Sequence, residues 1–337
     1  MNLATKYRPK TWEEVTGQSS VVKILSQQLL TKNIKNTYIF SGASGCGKTT
    51  IARIFANEIN QYKGVPIEID GASNSGVDNV RNIIKNASER SLNSEYKVYI
   101  IDEAHMLTTS AWNALLKTIE EPPKYTVFIF CTTDPQKIPN TIQNRCMRFN
   151  FTRLSSTEIN SRLNMVCKYE NLQNYKDTCE YISRICKGEM RNALSLLDTC
   201  IDYAQDLTLE NTLKALGNFT YDTYFKLVNT IIDGDIIKSI ELVENIYKDG
   251  LDLKHFINTF LDFCLDLCKY SFSKDITITK LPNSVLKDLE YTCNIENSSK
   301  YFLYIVDRVL EIKSMIKNDS DVKCTIEVMV SQMCRWL

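Results

Sequence analysis

Gly42-Ala43-Ser44-Gly45-Cys46-Gly47-Lys48-Thr49 places glycines, a lysine and a hydroxyl at the spacing of a phosphate-gripping loop. The run sits between an apolar stretch, Tyr38-Ile39-Phe40, and a helical pattern starting near Lys48. A glycine-rich turn from strand to helix lets successive backbone N–H groups close around phosphate oxygens. Lys48 can then reach β/γ-phosphates, and Thr49 can set its hydroxyl on Mg²⁺. Thr50 follows in the first helical turn.

A second group of residues supplies what hydrolysis needs. Lys97-Val98-Tyr99-Ile100-Ile101 reads as a buried strand and ends in Asp102-Glu103-Ala104-His105. An acid at the C-terminal tip of a parallel strand points into the crevice where such sheets bind ligands. Asp102 is therefore expected to hold Mg²⁺, directly or through water. Glu103 is the expected base for a water. A pair of solvated carboxylates is the plainer alternative, disfavoured by the loop upstream. His105 reads as a hydrogen-bonded spacer more readily than as an acid or base. Thr132 or Thr133, at the tip of another strand, offers a hydroxyl that can sense the γ-phosphate or orient the attacking water.

These groups need a scaffold, and the pattern predicts one. Strand-like runs at Tyr38–Ser41, Pro66–Asp70, Lys97–Ile101, Thr126–Cys131 and Met147–Phe151 alternate with helical patterns at Lys48–Ile59, Val77–Glu89 and Ser110–Ile119. Strands separated by helices predict a five-stranded parallel sheet with flanking helices. Pro122-Pro123 ends the third of those helices. Past Phe151 the strand pattern stops. Thr157–Tyr169, Tyr175–Cys186 and Met190–Tyr203 read as three amphipathic helices. A wholly helical region follows, with Tyr221–Ile232, Ile236–Lys248, Leu253–Tyr270 and Lys300–Lys317 separated by connectors such as Asp233-Gly234-Asp235 and Asp249-Gly250. Residues 271–299 are polar and harder to assign. The expected division is an α/β domain over 1–152, a three-helix domain over 153–206 and an all-α domain over 207–337, which the family resemblance given below would make a lid and a collar.

Composition sets bounds. The chain has 337 residues, 44% of them hydrophobic, enough for two or three packed cores. Lys plus Arg and Asp plus Glu both count 40, so any basic surface must be local. No apolar run approaches the ~20 residues that cross a bilayer, and Met1 to Lys10 has no apolar signal core. The expectation is a cytoplasmic protein with no membrane partner. Twelve scattered cysteines, no C-x-x-C and two histidines favour buried free thiols over a zinc site.

The order of these motifs resembles the AAA+ ATPases, and within them the bacterial tau/gamma family of clamp-loader motor subunits. The matching letters extend beyond the loop: Tyr7-Arg8-Pro9-Lys10-Thr11-Trp12 with Val15 and Gly17-Gln18, Ile69-Asp70-Gly71-Ala72-Ser73, and Ile101-Asp102-Glu103-Ala104-His105-Met106-Leu107. Asn113-Ala114-Leu115-Leu116-Lys117 with Glu120-Glu121-Pro122-Pro123, Thr132-Thr133-Asp134-Pro135-Gln136-Lys137-Ile138-Pro139, Asn144-Arg145-Cys146 and Gly188-Glu189-Met190-Arg191-Asn192-Ala193-Leu194 complete the set. The resemblance implies an ATPase that works with Mg²⁺ and other loader subunits in a pentamer, opening a sliding clamp and placing it on primer–template DNA. It implies that Tyr7, Arg8, Pro9, Val15 and Gly17 border the adenine, although a plain N-terminal arm is the alternative. Arg191 corresponds to a second sensor above the γ-phosphate. Arg145 corresponds to an arginine that enters the neighbouring subunit's site. Gly76 and Arg81 match a segment that tracks DNA phosphates, and Thr108 and Thr109 open the next helix in a position to do the same.

Two departures stand out. The family usually carries a four-cysteine zinc module after the loop's helix, whereas Asn60 runs to Glu68 here without a cysteine, so no zinc is expected. Asn144 stands where the family has serine, an exchange between two good capping residues. The sequence stops after the family's collar, which a phage-encoded version, a compact bacterial version or a truncation of a longer chain would all fit. A DNA helicase or branch-migration motor on the same fold is the alternative function.

Overall fold

Five short runs of β-branched and aromatic residues pair into one parallel sheet in a computed structural model of the chain, which describes residues 2–91, 93–248, 252–295, 297–316 and 321–336. The strands are β1 (Thr37–Gly42), β2 (Ile67–Asp70), β3 (Lys97–Asp102), β4 (Thr126–Thr132) and β5 (Met147–Phe151). Their order across the sheet is β2-β3-β4-β1-β5. β4, buried along its whole length, lies at the centre. Side chains alternate between the two faces. Tyr38, Phe40, Val98, Ile100, Val127 and Ile129 belong to one core, and Ile39, Tyr99, Ile101, Phe128 and Phe130 to the other. Strands buried on both faces read in sequence as continuous apolar runs, as these do.

The helices follow from the same patterning. α1 (Leu3–Lys6) is a short turn in the N-terminal segment. α2 (Ser19–Leu30) and α3 (Lys48–Ile59) cover one face through Val21, Leu25, Ile51 and Phe55. α4 (Val77–Ala87) and α5 (Thr109–Glu120) cover the other through Val80, Trp112 and Leu115. α5 ends at Glu120 with Glu121 as its C-cap, just before the paired prolines. α6 (Asn140–Gln143) leads into β5.

The rest of the chain is helical: α7 (Ser156–Tyr169), α8 (Lys176–Ile185), α9 (Met190–Tyr203), α10 (Leu209–Ala215), α11 (Tyr221–Ile232), α12 (Ile236–Lys248), α13 (Leu253–Ser273), α14 (Leu286–Cys293), α15 (Ser298–Met315) and α16 (Val322–Trp336). Two compact units result. Met1–Leu163 with Cys186–Ser195 forms one, and Asn164–Ile185 with Leu196–Leu337 forms the other. The second unit is built on α13, whose Phe256, Phe260, Phe263 and Leu267 share a core with Phe302, Ile305, Val309 and Ile312 of α15.

The predicted elements differ from the structure mainly at their ends and in the tail. The helix expected over Val77–Glu89 stops at Ala87, and that expected over Lys300–Lys317 begins at Ser298 and is described to Met315. Lys317 and the Asp249-Gly250 connector lie outside the described residues. The unassigned stretch 271–299 contains the end of α13, two 3-10 turns (Ile276–Ile278 and Asn283–Val285) and α14. All twelve cysteines are free, and ten are buried. Among the described residues no helix is long and apolar enough to cross a membrane, and no cluster of His, Cys, Asp and Glu could hold a metal ion.

Candidate nucleotide site

The sheet order brings the C-terminal ends of β3, β4 and β1 side by side, and the glycine-rich loop leaves β1 there. Gly47 caps α3 at φ +103, a conformation closed to most side chains, and so lets the loop turn directly into the helix. The first N–H groups of α3 then have no intrahelical acceptor and point outward with the positive end of the helix dipole. Lys48 is buried, and its Nζ donates to the carbonyls of Gly42 (2.9 Å) and Ala43 (2.8 Å). Thr49 Oγ1 donates to Asp102 Oδ2 over 2.8 Å. A hydroxyl and a carboxylate held this close form a hard oxygen set, the type that Mg²⁺ takes. The Asp102 Oδ1 accepts from the Glu103 backbone N–H (3.0 Å), and Glu103 itself sits in the left-handed region at φ 45. Gly71 makes this tip possible: a Cβ there would lie 2.8 Å from the carbonyl oxygens of both Asp102 and Glu103.

A cavity of about 250 Å³ opens over the loop. Tyr7, Arg8, Pro9 and Val15 of the N-terminal segment line it, with Ser44–Thr50, Asp102, Glu103 and Arg191. Gly17, Gly42 and Ala43, expected at the nucleotide, are not among its lining residues. Asn2, Ala4, Thr5, Thr16, Ile51, Leu154 and Arg162 also line it without a signal in the sequence, and Met190 and Leu194 line it from within the Gly188–Leu194 motif. Arg8, Lys48, Arg162 and Arg191 set four cationic side chains against the carboxylates of Asp102 and Glu103, a balance suited to a polyanion. Burial, and then Arg53, pulls the Arg8 guanidinium below its ordinary pKa, while its Nε donates to Thr50 Oγ1 (3.2 Å). Burial lifts the Cys46 thiol, so this loop position is a neutral packing group.

Two polar ties hold the wall in place. Gln18 is buried. Its Nε2 donates to the carbonyls of Thr152 (2.7 Å) and Cys46 (3.3 Å), and its Oε1 accepts from Thr152 N–H (3.2 Å). Arg162 donates to the Tyr7 carbonyl over 3.0 Å. Gln18 lay within the Gly17-Gln18 motif, but nothing local to it announced its distant partners.

The remaining expected residues lie outside the cavity lining. Thr132 is fully buried, its Oγ1 3.2 Å from His105 Nδ1 and accepting from Asp134 N–H (3.0 Å). Thr133 donates to Glu103 Oε2 over 3.4 Å, so it is the hydroxyl in touch with the expected base. Arg145 pairs with Glu120 (2.7 Å) and donates to the Thr141 carbonyl (2.7 Å), with its side chain 41% exposed. Gly76 and Thr108 precede α4 and α5, and Thr108 N–H donates to the Ser75 carbonyl (3.1 Å), which sets the two helix starts beside each other. Thr108 Oγ1 caps α5 by accepting from Ala111 N–H (3.2 Å), Thr109 is its first residue, and Arg81 pairs with Asp78 (3.1 Å).

A family model described as DNA polymerase III, delta subunit, matches residues 63–155, and one for DNA polymerase III subunits gamma and tau domain III matches residues 207–302. DNA polymerase III subunit tau of Bacillus subtilis is 38% identical over 286 residues, covering 78% of this chain and 51% of that protein. DNA polymerase III subunit gamma of Buchnera aphidicola subsp. Schizaphis graminum is 32% identical, covering 91% of this chain and 90% of its own length. The chain thus spans about half the length of relatives such as the Bacillus protein and nearly all of the Buchnera one. The Thermotoga maritima RuvB Holliday junction branch migration motor shares the AAA+ fold, at a TM-score of 0.54 and 21% identity over 67% of this chain and 79% of that one.

Proposed function

The chain belongs to the DNA polymerase III gamma/tau family, and on that premise we propose that it is the ATP-hydrolysing motor subunit of a sliding-clamp loader. It binds ATP in the cavity over Lys48, opens the clamp and places it on primer–template DNA, within a pentamer that includes other loader subunits. The observation that carries this reading is the Thr49–Asp102 pair at 2.8 Å with Glu103 next to it on the wall of a cationic cavity.

Each residue has a task in this reading. The N–H groups of the glycine-rich loop bind phosphate oxygens, and Lys48 exchanges the Gly42 and Ala43 carbonyls for the β/γ-phosphates. Thr49 and Asp102 would hold Mg²⁺, which neutralises charge on the phosphates when bound. Glu103 takes a proton from water, and Thr133 holds the carboxylate that does so. Tyr7, Arg8, Pro9 and Val15 border the base, and Arg191 approaches the γ-phosphate. We assign residues 1–152 to the nucleotide-binding domain, 153–206 to a lid and 207–337 to a collar for oligomerisation. The match of the gamma and tau domain III model from residue 207 supports the last boundary.

A loader and a branch-migration motor on this fold separate in one assay. ATPase of the assembled complex is measured with primed DNA, with the sliding clamp, and with both. Synergy between DNA and clamp is expected. Strand separation with no response to the clamp would favour the motor instead.

DNA contact is assigned to the paired helix starts at Gly76 and Thr108, with Arg81 and Thr109 beside them. Helix N-termini and an arginine grip phosphates without reading sequence, which suits a loader acting anywhere on a genome. Arg81→Glu is expected to weaken DNA stimulation of ATP hydrolysis. The log–log salt slope of DNA binding should also fall, by about one for each contacting copy. An unchanged slope would remove Arg81 from the DNA path.

A further inference from the structure

His105 follows the expected base by two residues and has no task in the mechanism so far. Its ring belongs to the tight turn Ala104–Met106, and its side chain is only 13% exposed, against 43% for Glu103. The Nδ1 atom stands between two oxygens, 3.2 Å from Thr132 Oγ1 and 3.4 Å from Glu103 Oε2. An ionised carboxylate oxygen can only accept, so the ring nitrogen facing it must carry the proton. Thr132 Oγ1, already accepting from Asp134 N–H, has a second lone pair for the same ring proton.

We propose that His105 is a positioning residue for hydrolysis: its Nδ1–H and the Thr133 hydroxyl fix Oε2 of Glu103 and leave Oε1 to receive the proton of the attacking water. The inference rests on the ATPase reading above. Thr132 is the anchor of this arrangement. It is buried at the end of the central strand and orients the ring, and the ring orients the carboxylate. The left-handed backbone at Glu103 makes such support useful, because a non-glycine residue at φ 45 is held there by its surroundings. Contacts of 3.4 Å are long for hydrogen bonds, and catalytic contacts of this kind tighten when substrate is bound.

The chain contains two histidines, which makes the test clean. His255 Nε2 lies 2.9 Å from Asn218 Oδ1, so it should carry its proton on Nε2 and serve as an internal reference. The ¹⁵N shifts of the two imidazoles in the full-length chain should show Nδ1–H at His105 and Nε2–H at His255. In the assembled complex with primed DNA and clamp, His105→Ala and His105→Phe should lower kcat on the order of tenfold while ATP affinity stays within about twofold. His105→Asn should recover most of the rate, because its amide N–H falls near the Nδ1 position. Wild-type kcat in the Phe variant, equal losses in the Asn and Phe variants, or an Nε2–H tautomer at His105 would each overturn the proposal. A wild-type complex that binds ATP without hydrolysing it overturns the ATPase reading instead, and the imidazole shifts still report whether the contact exists.

Discussion

Arg145→Ala is expected to leave ATP binding by the single chain unchanged and to cut hydrolysis by the assembled complex by roughly 10³-fold or more, the range seen when a guanidinium supplied to a phosphoryl-transfer site is lost. Arg145 is absent from the lining of its own chain's cavity, and it follows the short helix α6 with its guanidinium half exposed. Its partner there, Glu120, is equally exposed, and a pair of this kind contributes at most about 1 kcal/mol. Such a contact can be exchanged for a phosphate when a neighbouring subunit docks. It also means that truncation should not unfold the domain, so a thermal melt of the variant chain should match the parent within a few degrees. A lone chain that hydrolyses ATP at the full complex rate, with the alanine variant equally active, would show that no arginine is needed from outside. Arg145→Lys is a useful companion. It keeps the charge but loses the planar fork, and it should recover only part of the rate.

The α/β scaffold was readable because its strands are buried on both faces. Continuous apolar runs such as Thr126–Cys131 have few alternatives when helical patterns flank them. The loop from Gly42 to Thr49 and the acids Asp102 and Glu103 were readable for a related reason. Each carries its chemistry in adjacent letters at a strand end, where a parallel sheet binds its ligands. What escaped was non-local. Gln18 reaches Thr152 and Arg162 reaches Tyr7, contacts that join residues 134 and 155 positions apart. Leu154 lines the cavity only because the chain returns to it after the sheet is complete. α2 was missed although it packs on the core. Its N-cap Gln18 makes no side-chain capping bond, and exposed Ile24 and Leu30 blur its apolar stripe. α14 follows two 3-10 turns and is only eight residues long, too short for a helical period to stand out. The left-handed conformation of Glu103 had no signal at all, since glutamate is not a residue that seeks it.

Glu103→Gln should separate binding from chemistry within one subunit, as Arg145→Ala does between subunits. Glutamine has the volume of glutamate and keeps a carbonyl oxygen that can accept from Thr133, so the strand tip need not move. It cannot take a proton from water at neutral pH. Loss of a general base costs about 10²–10⁴ in rate, and the single-turnover rate of ATP cleavage should fall by that amount while ATP affinity holds or rises. The variant complex should therefore collect in the ATP-bound state and retain clamp and primed DNA longer than the parent. Asp102→Asn provides the contrast. It weakens the oxygen pair with Thr49, so its defect should be eased by raising Mg²⁺, whereas that of Glu103→Gln should not. Mixed complexes distinguish the two directions of action. If Glu103 works on the nucleotide bound by its own chain and Arg145 on the one bound next door, a subunit with both substitutions disables two sites. A pair of subunits carrying one each across a single interface disables only one, and the residual rates of the two assemblies must differ accordingly. The reverse order, with the doubly substituted subunit losing one site and the divided pair losing two, would place both side chains at their own chain's nucleotide and end the case for an arginine delivered between subunits.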